Sequence, residues 1–265
     1  MYPELVHLGS FTIRTYSVVT ELGIIVGVIA AYKAARRQGI GADTFIDMAL
    51  YAVIAGIVGS RLYYVAIAWE QERFYADPLR IVASWEGGLV FQGAILGAVL
   101  ALLVFVRRHH LPLLLVLDIG AVGIVLGHAI GRWACFFGGC CYGKPTTLPW
   151  GVQFPFLDEP VHPTMIYESF ANLIIFAVLW NVDKRKPYRG LTFALYLIMY
   201  STVRFLDEFL RGDPAEVIAG LRLAQWVCLG TIVAGGLVLL YARRGRQEAP
   251  VAAVEQQAAR SQPQP

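Results

Sequence analysis

Residues 113–137 read LLLVLDIGAVGIVLGHAIGRWACFF. The run is long enough to cross a bilayer, which takes about 20 apolar residues of helix. It carries one acid near its start and His128 and Arg132 toward its end. Six further apolar runs surround it, at 16–35, 44–68, 88–106, 164–182, 191–210 and 224–242. Of the 265 residues, 57% are hydrophobic and 15% are charged, where a soluble domain has about 25% charged. Mean hydropathy is +0.57. These values exclude an ordinary soluble domain. They predict an all-α polytopic membrane bundle of about seven transmembrane helices. A single bundle over 1–246 accounts for nearly the whole chain. The Gln-, Ala- and Pro-rich stretch 247–265 reads as a disordered cytoplasmic tail.

Charge placement predicts the orientation. Lys33, Arg36, Arg37, Arg107, Arg108, Lys184, Arg185, Lys186, Arg189, Arg243, Arg244, Arg246 and Arg260 lie at or after the ends of odd-numbered runs. Arg14, Arg73, Arg80, Lys144, Arg211 and Arg222 lie on the other side. The positive-inside rule then puts the amino terminus outside and the carboxyl terminus in the cytoplasm. The basic residues around the first run mostly follow it instead of preceding it, so it does not read as a cleavable signal.

Glycines recur at four-residue spacing, Gly123, Gly127 and Gly131 in the fourth run and Gly93 and Gly97 in the third. Close helix packing is the expected use. The connection 69–87 holds Phe74, Tyr75 and Trp85 and reads either as a short interfacial helix or as a plain loop. After Gly138-Gly139 the chain to Val161 reads as a series of turns.

Arg61, Arg132 and Arg204 lie within apolar runs. Each costs about 2.5–3.5 kcal/mol at mid-membrane and so needs a reason. At about 1.5 Å per residue they lie about 25, 28 and 20 Å from the cytoplasmic starts of their runs, in the outer half of the bilayer. Either they snorkel independently to the outer interface, or they converge on one anionic site. A guanidinium fork suits a phospholipid phosphate. Tyr200, Arg204, Glu208 and Arg211 follow spacings of one helical face, which equally allows an internal Arg204–Glu208 pair. His128, Arg132 and Cys135 share a stripe of the fourth run. His162-Pro163-Thr164, with Tyr167-Glu168, opens the fifth run with titratable groups near the outer interface. The four cysteines, Cys135, Cys140, Cys141 and Cys228, form no paired CxxC zinc signature. A Cys135–Cys140 disulfide or simple apolar packing are the readings for the first three.

Several of these pieces resemble one family in order along residues 10 to 240. Gly131-Arg132, Cys135-Phe136 and Gly143, then His162-Pro163-Thr164 with Tyr167-Glu168, then Tyr200, Arg204-Phe205, Glu208 and Arg211, are similar to prolipoprotein diacylglyceryl transferases. Tyr16 after Arg14, Gly59-Ser60-Arg61, Trp85, Gly87-Gly88, Phe91, Gly93, Gly97 and Gln225 add to the likeness. The resemblance implies an enzyme of the bacterial cytoplasmic (inner) membrane. Its donor would be phosphatidylglycerol and its acceptor the lipobox cysteine thiol of a prelipoprotein. It implies Arg132, Arg204, His162, Glu208 and Tyr16 as catalytic residues. Arg132, Arg204, Arg61, Gln92, Tyr200 and Gly143 would hold the phospholipid headgroup. No cofactor, metal or nucleic acid is implied.

The chain departs from the family's common pattern at three places. Gln92 stands where a histidine is usual, Cys135 where an asparagine is, and Cys140 where an acid is. An amide cannot act as a base. His162, His128 and Glu168 are therefore the candidates for a relocated base. Two rival readings follow: a related transferase with another acceptor, and a non-catalytic lipid transporter or receptor.

Overall fold

The computed structural model describes residues 4–8, 11–69, 74–75, 77–82, 90–185, 188–213 and 217–244. Seven α-helices appear among them: α1 (Thr15–Arg37), α2 (Ala42–Ile67), α3 (Phe91–Arg108), α4 (Leu113–Gly138), α5 (Thr164–Arg185), α6 (Leu191–Asp207) and α7 (Leu223–Arg244). Each lies on one of the seven apolar runs, and no boundary differs by more than three residues. α1, α2, α4, α5 and α7 are each long and apolar enough to cross a membrane. Large apolar side chains remain exposed along the helices, among them Ile24, Ile57, Leu62, Val233 and Leu237, each more than half exposed. Water would penalise such a surface, whereas lipid accepts it.

Two short antiparallel pairs add to the all-α expectation. β1 (Glu4–Leu8) pairs with β2 (Phe11–Arg14), and β3 (Val217–Ile218) pairs with β4 (Leu221–Arg222). Strands of two to five residues are too short for their alternation to be read. The β3–β4 turn is Ala219-Gly220, with φ of 51° and 81°. Both values are positive, as a two-residue hairpin turn requires, but the usual Asn-Gly or Asp-Gly signal is missing.

The described residues fall into two compact units, one within Met1–Gln38 and Leu117–Pro265 and the other within Gly39–Val116. In the second unit α2 packs on α3 through glycine. A methyl group on Gly59 would lie 2.5 Å from the Gly93 carbonyl oxygen and 2.9 Å from the Gly97 Cα. Arg61 is buried there, with Nε donating to the Ile81 carbonyl at 2.9 Å and Nη2 to that of Arg80. Those carbonyls belong to or adjoin a 3-10 turn at Pro78–Ile81, which is what the structure describes of the short helix weighed for 69–87. Trp85, Gly87 and Gly88 lie outside the described residues, as does the tail 247–265.

In the first unit α1 packs on α4. Methyl groups on Gly23 and Gly27 would meet the carbonyl oxygens of Gly127 and Gly123 at 2.8 and 2.7 Å. Packing thus explains Gly123 and Gly127, but a methyl on Gly131 would meet nothing within 4 Å. Val125, Ile175 and Leu179 form a core against α6 residues Leu195, Met199 and Val203. Asp118, fully buried, accepts from the backbone N–H of Gly190 at 2.7 Å and of Phe193 at 2.8 Å. It thereby satisfies donors at the start of α6 that a helix cannot satisfy itself.

Candidate active site

The first unit gathers most of the chemistry-bearing residues. α4 presents His128 and Arg132 one turn apart, and α5 brings Glu168 to them. Arg132 Nη2 lies 2.8 Å from Glu168 Oε1, and His128 Nε2 lies 3.4 Å from the same oxygen. Tyr200 on α6 donates its hydroxyl to that oxygen at 3.2 Å, and its ring lies 5.2 Å from that of His128. Glu168 is 1% exposed. A carboxylate so buried keeps its charge only beside a compensating cation, which Arg132 supplies.

One turn beyond Tyr200 stands Arg204. Its Nη1 lies 2.6 Å from Glu208 Oε2 and 3.5 Å from Asp207 Oδ2. Glu208 Oε1 takes a second cation, Arg222 Nη1 at 3.1 Å. Tyr200 binds the Glu168 oxygen that also takes Arg132, and Arg204 follows Tyr200 by one turn of α6, so the two guanidinium groups share one neighbourhood. Of the two expectations, convergence fits this pair better than independent snorkelling. Arg61 is held within the other unit by the carbonyls described above, and Gln92 is exposed in the first turn of α3 in that unit.

The cluster is closely balanced in charge. Arg132, Arg204, Arg211 and Arg222 face Glu168, Asp207, Glu208 and Asp213. An incoming anion therefore meets guanidinium groups already paired on one side. The side chains of Arg132 and Arg204 keep 14% and 18% of their surface exposed. Arg132 Nε is buried and has no hydrogen-bond partner among the described residues. Each thus retains donor capacity beyond its carboxylate.

Arg211 departs from the expected helical face. α6 ends at Asp207, and Arg211 pairs its backbone with Gly143 and its side chain with Asp213. Lys144 N donates to the Leu210 carbonyl at 2.8 Å, and Gly143 N to the His162 carbonyl at 2.8 Å. Gly143 is needed for this crossing. A methyl there would lie 2.6 Å from the His162 Cβ and 2.7 Å from the Leu210 oxygen. His162 Nδ1 lies 3.3 Å from Tyr167 Oη, which accepts from Trp150 Nε1 at 2.9 Å. Tyr16, nearly half exposed on α1, lies against Gly138 and within the field of Arg132.

The end of α4 brings three thiols together. Gly139 N donates to the Phe136 carbonyl at 3.2 Å and Cys140 N to that of Cys135 at 3.1 Å, with Gly139 at φ 67°. This is a Schellman cap, which sets the residue two beyond the cap against the third residue before it. Those two are Cys140 and Cys135. Hydrogen bonding from the Cys135 thiol, reinforced by Cys140 and Arg211, lowers the Cys141 thiol to about 5. All four cysteines are free.

Sequence reasoning missed Asp207, Arg222 and Asn172. Asn172 is fully buried in α5, and neither amide atom has a hydrogen-bond partner among the described residues. Asp207 adjoins Glu208 in sequence, and two successive acids at the end of an apolar run were the available signal. Nothing in the pattern marks Arg222 apart from other loop cations.

The profile of the family described as "Prolipoprotein diacylglyceryl transferase" matches residues 3–241. A protein of Gloeobacter violaceus named phosphatidylglycerol–prolipoprotein diacylglyceryl transferase is 41% identical, over 94% of this chain and 96% of its own. Proteins of the same name from Synechococcus elongatus and Halalkalibacterium halodurans are 37% and 38% identical. Each of these alignments covers 90% of this chain, with 87% and 85% of the respective relatives. The chain belongs to the prolipoprotein diacylglyceryl transferase family.

Proposed function

We propose that this protein transfers a diacylglyceryl group from phosphatidylglycerol to the cysteine thiol of a prelipoprotein lipobox. The observation that carries the reading is the placement of Arg132 and Arg204 about Tyr200, the first through their shared Glu168 oxygen and the second one turn further along α6. Membership of the family supports it. All seven helices cross the bacterial cytoplasmic membrane in this reading, with the amino terminus outside and the site toward the outer face. The charge asymmetry of the connecting segments supports that orientation.

The reaction breaks the bond between the glyceryl carbon and the phosphate oxygen and forms a carbon–sulfur bond. Glycerol phosphate leaves and the thiol loses a proton. Arg132 and Arg204 hold the phosphate and stabilise the charge that gathers on its leaving oxygen. Glu168 and Glu208 orient those two guanidinium groups. A thiol with a pKa near 8.5 is mostly protonated at neutral pH, so a base is needed. His128 takes that role, standing 3.4 Å from the carboxylate that orients Arg132. Tyr16 and His162 line the approach of the acceptor peptide. Polar residues of the other end of the first unit are committed to structure. Asp118 caps α6, and Asp183 takes Gln38 Nε2 at 3.3 Å and Arg37 at 4.0 Å. That leaves little support for a continuous transport path.

Complementation tests the reading. The chain is expressed in a bacterium depleted of its own transferase, together with a reporter prelipoprotein. Mass spectrometry is expected to find the diacylglyceryl thioether on the reporter cysteine. An unmodified reporter alongside a changed lipid extract overturns the thiol as acceptor and favours another one. An unmodified reporter and unchanged lipids overturn catalysis.

A further inference from the structure

The three cysteines at the end of α4 have no part in the reaction described above. We infer that Cys135, Cys140 and Cys141 form a three-thiolate site for a thiophilic divalent metal ion of the zinc class. The inference stands whether or not the chain transfers lipid, because it rests on the thiols alone.

Their three sulfurs lie within 4.8 Å of one another, and those of Cys140 and Cys141 are 3.7 Å apart. Sulfurs bound at about 2.3 Å to a tetrahedral zinc ion lie about 3.8 Å from each other. The observed triangle needs only a small contraction to close on an ion.

The backbone holds the triangle. The Schellman cap fixes Cys135 and Cys140 on one side of the helix end. Cys141 then takes a left-handed conformation, φ 65°, which a non-glycine residue adopts only at a cost. Thr164 Oγ1 pins it by donating to its carbonyl at 2.6 Å. Two successive turns are thus spent on facing three thiols inward.

The surroundings suit an ion. All three cysteines keep partial exposure, so an ion has access. Three thiolates and a divalent ion leave one net negative charge. Arg132 Nη1, 4.0 Å from Cys135 Sγ, lies where it offsets that charge. Thiolate ligands select zinc-like soft ions over magnesium or calcium. Three protein ligands leave a fourth position open. The sequence spacing hides the site, because C-x4-C-C is no paired CxxC pattern and the cap, not the spacing, brings the sulfurs together.

The test uses the full-length protein in detergent micelles, reduced and stripped with a chelator, then titrated with cobalt(II). One cobalt per chain is expected, with strong sulfur-to-cobalt charge transfer and the intense visible bands of a tetrahedral site, displaced by zinc. Cys140→Ser is expected to weaken binding by more than the roughly 10–100-fold typical of losing an outer partner. Cys228→Ser, buried in α7, is expected to leave the spectrum unchanged, and circular dichroism checks that both variants stay folded. In zinc-loaded protein, alkylation should spare three cysteines until a chelator is added. Absence of charge transfer in the unmutated protein overturns the proposal. So does an unaltered Cys140→Ser spectrum, or a disulfide mass that yields to reductant and not to chelator.

Discussion

Arg132 and Glu168 join α4 to α5 through a 2.8 Å contact between Nη2 and Oε1, and Tyr200 and His128 share that same oxygen. The pair is asymmetric. Glu168 is 1% exposed on its side chain, whereas Arg132 retains 14%. Losing Arg132 strands a buried carboxylate, which costs about 3–5 kcal/mol or forces protonation. Losing Arg204 leaves Glu208 with Arg222 at 3.1 Å and takes from buried Asp207 only the longer of Arg204's two contacts, at 3.5 Å. Arg132→Gln is therefore expected to lower the melting temperature in detergent more than Arg204→Gln. Adding Glu168→Gln to Arg132→Gln should recover part of the loss. Equal shifts for the two single variants would mean that Glu168 is not stabilised by Arg132.

Activity should rank the same residues differently. Lysine keeps the charge of arginine but loses its planar fork. If both guanidinium groups hold the departing phosphate, Arg132→Lys and Arg204→Lys should each slow transfer to a lipobox peptide by about 100-fold or more. The readout is the initial rate of thioether formation by mass spectrometry. A variant that keeps wild-type rate with either lysine removes that arginine from the phosphate site.

The helices were legible because each is one apolar run, and lipid demands about 20 such residues in a row. Arg132, Arg204 and Glu208 were legible because a charge inside such a run is costly. What the sequence hid depends on backbone detail beyond the runs. The left-handed Gly139 folds Cys140 back on Cys135, and no periodicity announces that. Arg211 falls on the face of Tyr200 and Arg204 only if α6 continues. The helix instead stops at Asp207, and Arg211 turns to pair with Gly143. Arg222 reaches Glu208 across 14 residues, a contact set by how α7 starts after the β3–β4 hairpin.

Two glycines, one within α4 and one in the segment after it, should answer alanine in opposite ways. At Gly143 a methyl meets the Leu210 carbonyl oxygen at 2.7 Å and the His162 carbonyl oxygen at 2.9 Å, both backbone atoms that cannot swing aside. At Gly131 it meets nothing within 4 Å, and in a helix alanine is favoured over glycine by about 1 kcal/mol. Gly143→Ala is expected to lower thermal stability by about 1–3 kcal/mol, the usual range for overpacking. Gly131→Ala should be neutral or stabilising. Melting in detergent distinguishes them, and a tolerated Gly143→Ala would show that the crossing with Arg211 can open.

Asp118 offers a test of structure without chemistry. It accepts from two backbone N–H groups at the start of α6 and is fully buried. Asp118→Ala leaves those donors unsatisfied, at about 1–3 kcal/mol each. The position lies 14 residues before Arg132 on α4, about 21 Å by helix rise. Folded yield should fall while transfer per folded molecule stays near wild type. A selective loss of rate at unchanged stability would give Asp118 a functional part.

The base is decided by where the proton must go. In the proposed reaction the thiol loses its proton next to the carbon that the phosphate leaves, so the acceptor must stand by the arginines proposed to hold that phosphate. His128 Nε2 lies 3.4 Å from the Glu168 oxygen that also takes Arg132. Glu168 itself is occupied by three partners through that oxygen, and its other oxygen is buried without a hydrogen-bond partner among the described residues. His162 is tied instead to Tyr167 and, through it, to Trp150. Removing a general base costs about 100- to 10,000-fold, whereas loosening a wall of the acceptor channel costs far less. His128→Gln should therefore lower the rate of thioether formation by at least about 100-fold, with little change in the apparent affinity for the peptide. His162→Gln should mainly raise the peptide concentration needed for half-maximal rate. The reverse ranking, with His162→Gln abolishing turnover and His128→Gln retaining it, would move the proton acceptor to the α5 entrance and leave His128 as a packing partner of Tyr200.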